Sequence, residues 1–328
     1  MNVKELEWVR TDCTDPWTNL AMEEYLTFRA REGQVLLFLW QNARTVVIGR
    51  NQDPWRECRV ETMKEEDCKL ARRISGGGAV YHDLGNLNFT FIARDGWFDV
   101  DRQTEVILQA VRKLGIDAER NGRNDLTAEG RKFSGHAYYQ SGPYRYHHGT
   151  IMLDVDGGEL AKYLNVSAAK LASKGVASVR SRVANLAEFR PGLTRLEMER
   201  SLLEAFEEVY GQKAEEIPLP QTSGPELRKL IEKYSSEEWR YGRKIPFDVS
   251  FEGRFGWGGA EARIEAAGGR IREARVFTDA LDTELFRQLE EDLKGTRYDR
   301  ETLREIAKGY GAEEPPRAVL DMIIRQMQ

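Results

Sequence analysis

Cysteine is scarce in this chain. Three residues in 328, Cys13, Cys58 and Cys68, make neither a disulfide framework nor a C-x-x-C pair. They read as small, partly buried thiols. No apolar run approaches the roughly 18 residues of a membrane helix. The opening Met1-Asn2-Val3-Lys4-Glu5-Leu6-Glu7 lacks the apolar core of a signal peptide. Positive charge is not in excess: Lys and Arg total 49 against 54 Asp and Glu, a net charge of −5. That balance argues against a non-specific nucleic-acid binder, which needs a basic face. There is no H-E-x-x-H, no G-x-x-x-x-G-K-[ST] and no G-x-G-x-x-G, so metalloprotease, P-loop and Rossmann readings lose their usual support. The expectation is a cytoplasmic protein that uses neither membrane nor nucleic acid.

What is present is the composition of an ordinary globular protein, 41% apolar and 31% charged. The length suits two domains. Composition shifts to Pro, Glu, Ser and Gly around Ala214–Pro225, which reads as a linker region with a helix to about Tyr234 behind it. The expected division is a first domain over 1–244, including a linker over about 212–244, and a second over 245–328. Thr14-Asp15-Pro16 starts a helix with a cap and an early proline. Val35–Trp40 and Thr45–Ile48 suit a hairpin, a charged helix covers Val60 to Asp67, and Val106 to Leu114 mark an amphipathic helix. Arg131–Tyr139 and Tyr144–Val155 read as strands, and Gly122–Leu126 as a turn. Asn165 to Arg190 reads as a long ordered loop. Ala260 to Ala266 alternate with charged residues, and Gly268-Gly269 turns that strand back into Ile271–Phe277. Many strands joined by turns, with few helices, predict an antiparallel or mixed sheet rather than a doubly wound parallel one.

The stretch Arg72-Arg73-Ile74-Ser75-Gly76-Gly77-Gly78-Ala79-Val80-Tyr81-His82-Asp83-Leu84-Gly85-Asn86 is the centre of the chain. Three glycines let the backbone take φ > 0 and lie against a ligand. Their N–H groups can converge on an anion, and Arg72 or Arg73 can fork onto a phosphate or carboxylate. Three glycines also suit a plain turn, but strand-like flanks hold this one at both ends. All four histidines lie between residues 82 and 148. Strand alternation puts His147 and His148 on opposite faces, so they do not ligate one metal together. Lys132, in Gly130-Arg131-Lys132-Phe133-Ser134-Gly135, is either a solvated charge or a compact cation for an α-phosphate or acyl carboxylate.

These motifs, with Arg123-Asn124-Asp125-Leu126, His147-His148-Gly149-Thr150, the run Lys174 to Leu186, Trp239-Arg240-Tyr241-Gly242 and Arg254-Phe255-Gly256-Trp257-Gly258-Gly259, resemble the bacterial lipoate–protein ligase A family over nearly the whole chain. The resemblance implies an α+β fold: a mixed, largely antiparallel sheet with helices, as in biotin ligases and class II synthetases, plus a small α+β accessory domain. It implies a two-step ligase in which lipoate and ATP, with Mg²⁺, give lipoyl-AMP, and a carrier lysine then takes the acyl group. The implied carriers are apo lipoyl domains of 2-oxo-acid dehydrogenase E2 subunits and the glycine-cleavage H protein, and a monomer is the default. By the same resemblance, Arg73 and the backbone of Gly78, Ala79, Val80 and Tyr81 hold the nucleotide, together with Ser181 in a closing loop over Lys174–Arg182. Ser75, Gly76 and Gly77 line the acyl side, and His148 and Gly149 form a pocket wall. Lys132 touches both acyl carbonyl and α-phosphate, and Asn124 and Asp125 are candidates for ribose or Mg²⁺. A transferase of the same superfamily uses a cysteine from the later half of its catalytic domain, and here no cysteine follows Cys68. A non-catalytic carrier-domain binder is the alternative from another class.

Overall fold

In the computed structural model, which describes residues 2–122, 124–165, 183–242, 249–282 and 284–327, the two most apolar runs become inner strands of a large sheet. These are β2 (Gln34–Trp40), buried at every position, and β6 (Asn86–Arg94), buried until its last residue. Strands covered on both faces need no alternation, which is why both read as continuous runs. Among the described residues the sheet has eight strands, in the order β11 (Glu215–Glu216), β1 (Glu5–Arg10), β2, β6, β10 (Tyr144–Met152), β9 (Arg131–Ser141), β8 (Asp125–Ala128) and β7 (Ala118–Asn121). β1 is parallel to β2 and β11, and the other pairs are antiparallel. The mixed, largely antiparallel sheet is thus the one expected. The strands β1, β7 and β8 are additions; β7 and β8 flank the segment read as a turn, Gly122–Leu126, and only its last two residues belong to β8. A smaller sheet sets β3 (Thr45–Ile48) between β4 (Lys69–Arg72) and β5 (Val80–His82).

Helices cover both faces of the large sheet. On one face α3 (Val100–Lys113) and α5 (Arg195–Tyr210) bury Val106, Ile107, Ala110, Leu202 and Phe206 against Leu37, Phe89 and Phe91. Each of the larger side chains among them contributes roughly 1.5–3 kcal/mol by leaving water. The short helix α4 (Gly157–Tyr163) comes between these two in the chain, and another, α2 (Val60–Glu65), precedes them. α5 starts in a capping box, with Thr194 accepting from the Glu197 N–H, and ends at Gly211 with φ 70°. On the other face lies α1 (Pro16–Thr27), capped by Asp15, which accepts from Thr18 N at 2.9 Å. α6 (Pro225–Ser235) packs on α1, with Tyr234 Oη donating to Glu24 Oε2 at 2.6 Å. The segment read as a linker is therefore built into the first unit: β11 extends the sheet and α6 covers α1.

The chain divides into two units. Met1–Val47, Trp55–Arg72 and Val80–Arg240 make the first, and Ile48–Pro54, Arg73–Ala79 and Tyr241–Gln328 make the second. The expected border at 244/245 falls at 243–248, outside the described residues. Two pieces expected in the first domain, 48–54 and the glycine loop, go with the second unit. That unit has a three-stranded antiparallel sheet, β12 (Val249–Phe255), β13 (Gly258–Ala267) and β14 (Arg270–Thr278), and helices α8 (Leu285–Leu293), α9 (Arg300–Lys308) and α10 (Pro315–Gln326). The short helix α7 (Glu237–Tyr241) precedes it. Its own core joins Phe251, Ile264, Val276, Phe286, Leu289 and Leu320. The segment 48–54 is fastened there by an ion pair between buried Asp53 and half-buried Arg263, and by Thr278 N donating to Asn51 O at 2.9 Å.

Candidate active site

Lys132 stands near the start of β9, just after a tight turn whose Glu129 and Gly130 both have positive φ, 49° and 74°. The pairing of β8 with β9 slips by one residue between Leu126 and Thr127, so Asp125 lies opposite Gly135 while Thr127 lies opposite Lys132. That slip lets the lysine fold back along its own strand. Its Nζ sits 2.7 Å from Asp125 Oδ1, and a Cβ on Gly135 would come within 2.8 Å of it. Glycine at 135 is thus what leaves the ammonium its place. Both partners are accessible, with side chains 38% and 44% exposed. Beside them, Asn124 accepts from His136 N at 2.9 Å through its carbonyl, and its buried side-chain Oδ1 meets no donor among the described residues. Arg123 lies outside the described residues, as do Ser181 and the Lys174–Arg182 stretch expected to close over the site.

β10 carries His147 and His148 on opposite faces, as alternation predicts. His148, paired with Thr90 on β6 and Ala137 on β9, points to the α1 face. Its Nδ1 donates to Glu23 Oε1 at 2.8 Å, and that carboxylate also accepts from Thr90 Oγ1 at 2.7 Å, which in turn accepts from Trp40 Nε1 at 3.0 Å. Gly149 can only be glycine: a Cβ there would meet Phe89 at 2.6 Å, Gly135 O at 2.7 Å and His136 at 2.9 Å. Motif reading missed Glu23 and Thr90, although polar Asn86, Asn88 and Thr90 alternating within an apolar strand are a visible signal.

The core face holds a buried relay. His147 Nδ1 meets Gln103 Oε1 at 3.1 Å, His147 Nε2 meets His136 Nδ1 at 3.0 Å, and His136 Nε2 meets Ser134 Oγ at 3.1 Å. The amide oxygen of Gln103 can only accept, so each ring donates through Nδ1 and accepts through Nε2, and Ser134 donates its hydroxyl. Burial, with the Lys132 charge nearby, pushes His136 down to about 3. Burial and the neighbouring His136 push His147 well below its usual value. Both folded-state values lie under the ordinary one of about 6.5. Stability from this relay is therefore complete above pH 6.5 and falls as pH drops below it, because the unfolded chain takes up the protons first. Urea unfolding at pH 7 and pH 5 should show the loss, at most about 1.4 kcal/mol per pH unit for each ring. His136→Leu should make that loss smaller. An equal loss in the variant would remove the relay as its cause.

The glycine loop leaves β4 at Arg72 and enters β5 at Val80. Its two arginines are already engaged. Arg72 donates to the carbonyls of Trp239 at 2.8 Å and Arg240 at 2.9 Å, and receives Trp239 Nε1 on its own carbonyl at 2.8 Å. It therefore clasps the end of α7. Arg73, 5% exposed, staples the loop from inside: Nε donates to Ser75 Oγ at 3.0 Å, and Nη2 to the carbonyls of Gly76 at 2.6 Å and Gly78 at 2.8 Å. Gly77, at φ 90°, donates its N–H to Ala280 O at 3.3 Å. A Cβ on Gly76 would strike the carbonyl oxygen of Ala280 and stand 2.6 Å from that of Leu281, whereas one on Gly78 would meet nothing within 4 Å. Ser75 is buried, Ala79 closes the loop, and Val80 and Tyr81 pair with Val47 and Val46. Burial lifts the Tyr81 hydroxyl to about 12. Lys132, Asn124, Asp125, His148 and Gly149 thus belong to one unit, and Arg73 through Ala79 to the other.

Residues 15–207 match the lipoyl protein ligase A/B catalytic domain, and residues 244–318 match the bacterial lipoate protein ligase C-terminus. Among solved structures, P. falciparum LipL1 in complex with lipoate is similar over 98% of this chain and 99% of its own, at 27% identity and a TM-score of 0.85. A bi-partite lipoate protein ligase from Thermoplasma acidophilum, studied with its E2 lipoyl domain, is similar over 74% of this chain and 98% of its own, at 29% identity and a TM-score of 0.66. A lipoate-protein ligase A bound with ATP covers 73% of this chain and 99% of its own, at 27% identity and a TM-score of 0.64. With a catalytic-domain match over more than half the chain, a matching C-terminal domain behind it and the same fold in these ligases, the chain belongs to the lipoate–protein ligase family.

Proposed function

We propose that the chain is an ATP-dependent lipoate–protein ligase that works in two steps. A lipoate carboxylate oxygen attacks the α-phosphorus of ATP, the bond to the β-phosphate breaks, and pyrophosphate leaves. The ε-amine of a carrier lysine then attacks the acyl carbonyl, AMP leaves, and an amide forms with loss of one proton. The observation that carries this reading is the ammonium of Lys132, held accessible across Gly135 by Asp125. A fixed cation of that kind stabilises charge that builds between a carboxylate and a phosphate. The glycine loop supplies close backbone approach to the nucleotide.

Asn124 Oδ1 and the Asp125 carboxylate are hard oxygen donors, and the first lacks a partner among the described residues. They fit Mg²⁺ held jointly with phosphate oxygens, where the ion would neutralise charge on the leaving pyrophosphate. No cluster of three His, Cys, Asp or Glu exists among the described residues to hold a metal alone. Thioester chemistry is disfavoured at Cys58 and Cys68. Cys58 and Cys68 are buried, and burial pushes the Cys68 thiol up to about 12, far from a reactive thiolate. The carriers in this reading are apo E2 lipoyl domains and the glycine-cleavage H protein, and the enzyme acts as a cytoplasmic monomer. The test is ATP–pyrophosphate exchange. Exchange that requires lipoate, followed by amide formation on an apo lipoyl domain detected by mass, supports the reading. No exchange, with acyl transfer from a preformed donor, would make the chain a transferase.

A further inference from the structure

Thr278 closes β14 and is buried, with its hydroxyl used twice. That hydroxyl donates to Gly259 O at 2.8 Å and accepts from Ala280 N at 3.0 Å. A threonine that bonds the backbone two residues on forms a turn, and here it sets the direction of 280–281. Asp279 clamps the same place from the other polar atom of Gly259: its Oδ1 accepts from Gly259 N at 2.7 Å. A side chain on Gly258 would crowd that carboxylate oxygen. The chain leaving β14 is thus fixed to the start of β13 through both the carbonyl and the N–H of one glycine.

What this turn carries is the glycine loop. Ala280 O accepts from Gly77 N at 3.3 Å, and Gly76 lies so close that a Cβ would strike the same oxygen. The loop also runs along residues 48–50. Arg73 N donates to Ile48 O at 3.0 Å, Arg50 N donates to Ser75 O at 2.9 Å, and a Cβ on Gly49 would strike the Gly77 carbonyl oxygen. Asn51, next in that segment, is the residue whose carbonyl takes the Thr278 N–H at 2.9 Å. Thr278 therefore reaches both supports of the loop, one through its main chain and one through its hydroxyl. Consecutive glycines hold no conformation of their own, so their supports decide where the loop lies.

We propose that Thr278 is a positioning residue for the reaction, acting through the Ala280 carbonyl on the glycine loop, so that affinity for ATP depends on one buried hydroxyl of the second unit. Asp279 assists by holding Gly259. The proposal rests on the ligase reading, which gives the loop to the nucleotide. A small misplacement far from the reacting atoms can cost much activity, because binding and reaction both need the backbone in register with the ligand.

The test uses the full chain with Thr278→Val, which keeps the shape and removes both hydroxyl bonds, and Thr278→Ser, which keeps the hydroxyl. Lipoate-dependent pyrophosphate exchange gives kcat and the KM for ATP. Hydrogen exchange of the peptide 73–79 reports the loop without substrate. Thr278→Val should raise the KM for ATP about tenfold and speed hydrogen exchange of that peptide, while Thr278→Ser stays within about twofold of the unaltered chain. A hydroxyl that served stability alone would lower the amount of folded enzyme, and so kcat, at unchanged KM. That result overturns the proposal, and so does a Thr278→Ser variant as impaired as Thr278→Val. Should Thr278→Val fail to fold, Asp279→Ala cuts the other half of the clamp on Gly259, and the same two readouts decide. No pyrophosphate exchange in the unaltered chain would remove the ligase reading itself, and this proposal with it.

Discussion

Lys132→Ala is expected to lower lipoate-dependent pyrophosphate exchange by about 10²–10³, the cost typical of one lost transition-state donor. The fold should hardly notice. The only ion pair of Lys132 among the described residues is with Asp125, both partners are well exposed, and such pairs contribute about 0–1 kcal/mol. Lys132→Arg should rescue little, because a planar fork needs more room than the point charge lying over Gly135. The same geometry predicts a milder loss in Gly135→Ala, since the new methyl would stand 2.8 Å from the ammonium and displace the yielding tip of an exposed side chain. Exchange kinetics beside a melting curve would check all three. Near-normal exchange in Lys132→Ala, with an intact fold, would sink the assignment.

The second large effect separates two adjacent glycines. In Gly76→Ala the methyl collides with backbone oxygens of Ala280 and Leu281, which are not the yielding tips of side chains. The loop must leave its place, breaking the Arg73 bonds to the Gly76 carbonyl. A loss of about 1–3 kcal/mol in stability is expected, with adenylation lost alongside. In Gly78→Ala the methyl meets no protein atom within 4 Å, so stability should stay within about 0.5 kcal/mol. If adenylation nonetheless falls tenfold or more, the open space beside Gly78 is used by a ligand. Full activity in Gly78→Ala would remove the loop backbone from the nucleotide site.

How far these features could be read without a structure varies in a physically sensible way. β2 and β6 were legible because continuous apolar runs report burial on both faces. The loops at Ser75–Gly78 and Gly130–Gly135 were legible because backbone-driven sites leave glycine at fixed offsets. β7 and β8 were not. Arg120 and Asn121 lie on an exposed edge, and such strands carry no hydrophobic alternation. The Asp125–Lys132 pair was equally hidden, since a one-residue slip in register makes it and neither residue type announces a slip. Arg72 and Arg73 read as a phosphate fork, but the carbonyls they hold belong to Trp239 and Arg240 in one case and to the loop itself in the other. Side chains such as these report a partner's charge, not its address.

The bond from Gly77 to Ala280 also sets an order of events during synthesis. Some two hundred residues separate its ends. A ribosome adding about 5–20 residues per second leaves the glycine loop without that partner for roughly 10–40 s. Through that interval the nascent chain has already made Lys132, Gly135 and Gly149, but the loop lacks the segment that fastens it. A chain that stops short of Ala280 therefore carries the glycine loop without its bond at Gly77.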